Sequence, residues 1–391
     1  MSDAPRSTFL LFVRQGALVA MALDPERGAL SGEPALVAEP VGTDFGVDRG
    51  AFSVSSAGVI VHRAVRGSPR RQLVWINRAG KVLSTVGAPD ENLLADPELA
   101  PDGRLAAVRR TIQGNIDMWL MDTERGVQTR FTFETAVDRD AVWSPDGRRI
   151  IFVSNRSGGA PSSASPRVGA FELFEKAASG AGDEQPLRVS ADAPLSWSSD
   201  GRFLLYAKAD ANTGGDLWAL PITGDRPSAS SGRPEQVEGR KPFPVVQTPF
   251  DERNGQFSPD GRWVAYESNE SGRFEIYVRP FPGAGGKWQV STAGGSQVRW
   301  RHDGKELFYA APDERLMAAP VTPATEGQAL NVGEPAPLFM THLAQGPGIV
   351  AFRSQYAVAS DGRFLMNVSV DQAAPAPPIT VVVNWTTGLK K

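Results

Sequence analysis

Short runs of alternating or continuous apolar residues, broken at intervals by Gly, Pro and Asp, extend along the whole chain. Apolar runs of this kind, bounded by turn residues on both sides, read as β-strands. No helix-rich segment interrupts them. One unit recurs: PELAPDGRLAAVRR (97–110), AVWSPDGRRIIFVSN (141–155), LSWSSDGRFLLYAK (195–208) and GQFSPDGRWVAYESN (255–269). VRWRHDGKELFYAA (298–311) and YAVASDGRFLMNVS (356–369) are looser copies, and AFSVSSAGVIVHRA (51–64) keeps only Gly58. Successive repeat glycines lie 43 to 60 residues apart. The shorter spacings match the roughly 40–50 residues of one four-stranded blade, and the longer ones mark loop insertions.

The repeat has a mechanical reading. In Ser-Pro-Asp-Gly (144–147 and 258–261), proline presets the second turn position and glycine closes the turn between two apolar strands. The turn residues are Asp102, Gly103, Asp146, Gly147, Asp200, Gly201, Asp260, Gly261, Asp303, Gly304, Asp361 and Gly362. They are expected to be structural, because an Asp carboxylate accepts from nearby backbone amides in such turns. The Arg after each Gly is expected at a solvated strand end or against a neighbouring blade's acid. A third strand follows each hairpin, as in IDMWLMD (116–122), DLWALPI (216–222), FEIYVRPF (274–281) and RLMAAPV (315–321), and a short fourth strand such as QTRFT (128–132) ends the unit. The fold expected is all-β: a β-propeller of four-stranded antiparallel blades, filling 1–391 as one domain. Counting hairpins gives seven or eight blades with eight favoured, the first (9–23) and the last (ending at 379–385) incomplete.

Composition changes the list of partners more than the fold. The net charge is −3, without the basic excess of a nucleic-acid binder. There is no cysteine, which removes disulfides, thiolate metal sites and cysteine nucleophiles. The apolar run near the N-terminus is cut by Arg14, Gln15 and Gly16, and Asp3 stands where a signal peptide carries positive charge. No run of about 18 uninterrupted apolar residues occurs, so no membrane insertion is expected. These features lead to the expectation of a soluble monomer without an export signal.

The units FSPDGRWVAYESNESGRFEIYVRPF and WSPDGRRIIFVSNRSG resemble the TolB-type propeller repeat. KPFPVVQTPFDERNGQFSPDGRW (241–263), GGSQVRWRHDGKELFYAAPDERLMAAPV (294–321) and ITVVVNWTTGLKK (379–391) are similar to the propeller region C-terminal to the kinase domain of bacterial membrane-bound serine/threonine kinases. The resemblance implies a sensor or docking module facing outside the cytoplasm. The kinase is missing: no Gly-rich loop, His-Arg-Asp loop or Asp-Phe-Gly motif is present, and Arg301-His302-Asp303 sits in a hairpin turn. A start inside a repeat suggests a shortened relative or an excised segment. Without that link the chain would be cytoplasmic.

Other chemistry is sparse at the level of motifs. The three histidines, His62, His302 and His342, lie in different repeats without metal-ligand spacing, and no cofactor is expected. The G-x-S-x-G elbow of propeller-linked hydrolases is missing. A working pair of carboxylates among the 44 acids stays compatible with the sequence. The repeated tryptophans Trp119, Trp143, Trp197, Trp218, Trp263 and Trp300 read as packing between blades. Connections from the second to the third strand (155–170, 209–215), and from the fourth to the next blade's first (248–255, 341–352), open on one face. There Phe250, Asp251, Glu252, Arg253 and His342 are the candidate rim for a protein, peptide or small ligand. The segment 224–239 is expected to be a long loop on the other face. The expectation is a noncatalytic binding or scaffold module. The alternative is a hydrolase or lyase with its active site at the channel mouth.

Overall fold

A computed structural model describes residues 8–44, 49–64, 70–157, 171–210, 213–222, 241–283, 285–322, 330–344, 353–370 and 378–388. The insertions at 158–170 and 223–240, and residues 345–352 next to His342, lie outside the described residues. The chain divides into two compact units, Arg70–Val370 and a second made of Met1–Pro69 with Asp371–Lys391. One body over 1–391 was expected from sequence.

The unit Arg70–Val370 is a ring of sheets. Blade 1 comprises Ala95–Leu99, Leu105–Ile112, Asn115–Asp122 and Gln128–Arg130. Blade 2 comprises Asp138–Trp143, Arg149–Ser154, Glu172–Ala177 and Gln185–Ser190. Blade 3 comprises Ala193–Trp197, Phe203–Asp210, Gly214–Pro221 and Phe243–Val246. Blade 4 comprises Glu252–Phe257, Trp263–Ser268, Glu275–Pro280 and Trp288–Gln289. Blade 5 comprises Ser296–Trp300, Glu306–Ala310 and Arg315–Thr322, the last pairing with both Asn331–Val332 and Ala336–Met340. Blade 6 joins the two ends of the unit. Tyr356–Val358 and Phe364–Ser369 supply its inner strands, Arg71–Ile76 and Val82–Asp90 its outer ones. Phe364–Ser369 pairs antiparallel with Arg71–Ile76, from Phe364 opposite Ile76 to Ser369 opposite Arg71. That pairing leaves no open sheet at the junction, which removes the edge an open array would expose.

Apolar clusters lie between each blade and the next. Leu73, Trp75 and Leu365 meet Ala106, Val108 and Met121 between blades 6 and 1. Phe131 and Met118 meet Phe152 and Phe174 between blades 1 and 2, and the same arrangement continues through blades 3, 4, 5 and 6. Trp143 and Trp300 are buried, and their indole N–H groups donate to the preceding blade at Glu98 O (2.9 Å) and Gln256 O (3.2 Å).

Among the described residues the ring therefore has six blades, where hairpin counting gave seven or eight. The reason is local. The first hairpin joins its own three-stranded sheet, Phe9–Arg14, Ala17–Asp24 and Ala29–Ala38. The degenerate repeat contributes Phe52–Val54 and Ile60–Arg63, which pair with the C-terminal strand Ile379–Val382. Their alternating pattern is satisfied within the second unit by a small core around Leu18, Val41 and Ile60.

The repeat turn is a closed hydrogen-bonded unit. Ser144 N donates to Arg149 O (2.8 Å) and Gly147 N to Ser144 O (2.9 Å), with Gly147 at φ +69°. A side chain there would be forced into the left-handed region. Asp146 Oδ1 accepts from Ser144 Oγ (2.5 Å) and from the Arg148 amide (3.0 Å). Ser198–Asp200 and Ser258–Asp260 repeat the contact at 2.7 and 2.5 Å. The following arginines turn back on their own turn: Arg202, Arg262 and Arg363 pair with Asp200, Asp260 and Asp361 at 2.6, 2.8 and 2.7 Å.

Candidate functional site

Alternating strand direction divides the connections of the ring between two faces. Connections from strand 2 to 3 and from strand 4 to the next strand 1 open together, opposite the Asp-Gly turns. On the turn side a cleft of about 350 Å³ between blades 1 and 2 is lined by Pro101, Trp143 and Pro145. Its carboxylates, Asp102 and Asp146, are engaged by the amides of their own turns.

On the loop face the predicted rim separates into exposed and buried parts. Phe250 is 40% exposed. Asp251 links two connections: its amide donates to Asn269 Oδ1 (3.0 Å) and its Oδ1 accepts from the Gly215 amide (2.9 Å). Glu252 and Arg253, expected on the exposed rim, are buried at the start of the innermost strand of blade 4. Arg253 Nε donates to Glu267 Oε2 at 2.7 Å, and its guanidinium lies 3.5 Å from the Phe274 ring centre. Strand alternation inside a packed ring draws these side chains inward. His342 is exposed, with φ 49°.

Glu252 belongs to a pair of acids. Asp216 enters from the third strand of blade 3, and Glu252 from the first strand of blade 4; both are 1% exposed. Asp216 Oδ2 accepts from Thr213 Oγ1 (3.0 Å) and Gln247 Nε2 (3.1 Å). Glu252 Oε1 accepts from Thr248 Oγ1, and from Ser268 Oγ at 3.3 Å. The other oxygen of each, Asp216 Oδ1 and Glu252 Oε2, is buried without a hydrogen-bond partner among the described residues. No ion pair reaches either carboxylate among the described residues. Burial pushes the Glu252 carboxyl up to about 7, and the negative charge of Asp216 adds to the shift. Burial also raises Asp216. A carboxylate poised near neutrality beside a second one is the setting in which one acid holds a proton and the other does not.

A second polar assembly fills the ring axis. Each of the innermost strands of blades 1 to 5 contains a bulge, and Asp96, Asp140, Asn254 and Gln297 take positive φ there. Bulges re-aim side chains out of the sheet alternation. Arg299 Nη2 donates to Glu98 Oε2 (2.7 Å), and its Nη1 to Glu98 Oε1 (3.4 Å) and Gln256 Oε1 (3.3 Å). Arg353 Nη1 donates to the carbonyls of Pro194 (2.7 Å) and Leu195 (3.1 Å), and Nη2 to Ala141 O and, at 3.5 Å, to Glu98 Oε2. These two guanidiniums thus connect all six blades. Beside them Gln355 Nε2 donates to Asp96 Oδ1 and its amide to Gln297 Oε1, both at 2.7 Å.

Sequence reading missed Asp216, Glu98, Arg299 and Arg353, although repeat position carries a signal. Glu98, Gln256 and Arg299 each stand four residues before the turn Asp, and Glu252 and Asp138 each stand six before the turn Ser. Asp117, Asp216 and Glu275 each open an acid–apolar–aromatic triplet.

Comparison with known proteins bears on the fold and finds curated proteins similar to part of the chain. No family model matches the chain. It is 25% identical over 205 residues to the uncharacterized peptidase YuxL of Bacillus subtilis; the match takes in 45% of this chain and spans 29% of that protein's length. The structure of a putative TolB from Agrobacterium tumefaciens superposes with a TM-score of 0.56 at 15% identity, over 78% of this chain and all of that one. TolB from Acinetobacter baumannii gives a TM-score of 0.41 at 13% identity, over 95% of this chain and 80% of that one. The peptidase relative overturns the expectation of a noncatalytic module. Missing nucleophile-elbow and kinase motifs removed only those routes, and a carboxylate pair leaves no contiguous motif. Among the described residues no helix is long and apolar enough to cross a membrane. Among the described residues the chain is all-β, with a β-propeller fold like that of TolB.

Proposed function

We propose that this protein is a propeller enzyme of the hydrolase class, with Glu252 and Asp216 as its acid–base pair at the loop-face mouth of the ring. The observation that carries the reading is the pair itself: two buried carboxylates, each with one oxygen unpartnered and neither bonded to a cation among the described residues. The poise of Glu252 near 7 supports it, as does the peptidase relative. In such a pair the ionised Asp216 takes a proton from the attacking water. Protonated Glu252 gives its proton to the leaving group as the acyl–nitrogen or acyl–oxygen bond breaks. Phe250, exposed two residues before Glu252, offers an apolar contact to the substrate.

The test is turnover by the purified chain on peptide, ester and glycoside panels. Hydrolysis is expected, reduced by about 100-fold or more in Glu252→Gln, with the thermal melt retained. Absence of turnover on every panel, or equal turnover by Glu252→Gln, would sink the assignment.

A further inference from the structure

Two arginines at the ring axis, Arg299 and Arg353, converge on one carboxylate, Glu98. Nearby carboxylates are engaged by other arginines: Asp140 is paired with Arg139, and Asp96 lies 3.0 Å from Arg109. The bonds to Glu98 are also unequal. Arg299 holds it at 2.7 Å, whereas Arg353 is anchored on three backbone carbonyls and reaches Glu98 only at 3.5 Å. Arg299 Nε is buried with no hydrogen-bond partner among the described residues, so one edge of its donor fork is unused there. The Glu98 side chain is 18% accessible, against 8% for Arg299 and 4% for Arg353. The carboxylate is thus the most solvent-accessible of the three.

We propose that Arg299 and Arg353 form a carboxylate-binding site on the ring axis, occupied in the free protein by Glu98 as an internal stand-in for the ligand. A guanidinium fork matches a carboxylate in plane and bond direction, and buried charge-assisted bonds of this kind are strong. Arg353 keeps its carbonyl bonds when Glu98 swings away, so the site is pre-built and its ligand competes with one side chain rather than with the fold. The ligand is a molecule with a free carboxylate, such as a peptide C-terminus or an organic acid. This inference is independent of the acid pair, because it is read as binding rather than turnover.

The experiment is calorimetric titration of the full chain with an N-acetylated dipeptide bearing a free C-terminal carboxylate, with the same dipeptide amidated, and with acetate. The carboxylate dipeptide is expected to bind and the amide not to. Binding of acetate as well would assign recognition to the carboxylate alone, and its failure would add the peptide backbone to the requirement. Glu98→Gln, close to Glu98 in shape, should tighten carboxylate binding by about tenfold, and Arg299→Met should abolish it. Should Arg299→Met fail to fold, Arg299→Lys keeps the charge without the fork and is expected to weaken binding at least severalfold. Equal binding of carboxylate and amide by the native chain, or unchanged carboxylate affinity in Glu98→Gln, would overturn the proposal.

Discussion

Two junctions of the ring place acids at matching positions and treat them in opposite ways. Between blades 1 and 2, Asp117 lies near the start of a third strand and Asp138 opens the next first strand, at 2% and 0% exposure. Arg130 Nη2 donates to Asp117 Oδ2 at 2.8 Å, and Arg156 Nη2 donates to both oxygens of Asp138 at 2.9 Å. Between blades 3 and 4, Asp216 and Glu252 are equally buried and have hydroxyl and amide partners only. For Glu252 the difference traces to a visible exchange: the segment SNRSG of blade 2, which supplies Arg156, is SNESG in blade 4, with Glu270 in its place. Glu270 turns away to Lys287. A buried acid with an arginine is mortar between blades. One without an arginine is pushed by burial toward its protonated form, the property on which the proposed acid–base role rests.

The comparison breaks most visibly at the arginine. Arg156→Met leaves Asp138 buried and unpaired and should cost about 3–5 kcal/mol, read from chemical denaturation. A loss below about 1 kcal/mol would show that the pair is not structural. The converse variant, Glu270→Arg, supplies blade 4 with the missing cation. It should draw the Glu252 carboxyl back toward its ordinary range and reduce any turnover at neutral pH, since the general acid would then be ionised.

The acid pair and the Asp-Gly turn differ in pH response, whereas burial raises Asp138 as it raises Glu252. The folded Glu252 titrates near 7, above its ordinary carboxylate range, so the folded state binds more protons than the unfolded state between those values. Stability is therefore fully supported below the ordinary range and falls as pH rises toward 7. Glu252→Gln should flatten that fall, measured as melting temperature against pH. The Asp146 carboxyl has the opposite sign. The Ser144 hydroxyl and then the Arg148 amide hold it below its usual range, so its contribution is present above that range and lost in acid. Ser144→Ala, the smallest effect expected, should cost about 1 kcal/mol near neutral pH and lose part of that cost in acid.

Much of the ring could be read from sequence because the Asp-Gly turn imposes a local pattern that tertiary packing does not alter. Blade number could not, since the 9–23 hairpin and the 51–64 repeat have the alternation of a blade but pair with 29–38 and with the C-terminal strand 379–382 instead. Blade 6 was hidden for the opposite reason: its outer strands, Arg71–Ile76 and Val82–Asp90, lie almost 300 residues from its inner ones. At the site, Glu252 was singled out as an exposed rim charge, and burial changes its meaning. Asp216 passed as an ordinary strand residue because nothing local distinguishes it from Asp117. Their difference lies in partners that the fold brings together.

The most direct test is a carbon-detected titration of the chain with its glutamate carboxyls labelled, assigned by comparison with Glu252→Gln. One resonance should titrate near 7 and be missing from the variant. Titration of every glutamate in the ordinary carboxylate range would contradict the account, because Glu252 would then be one more buried structural acid.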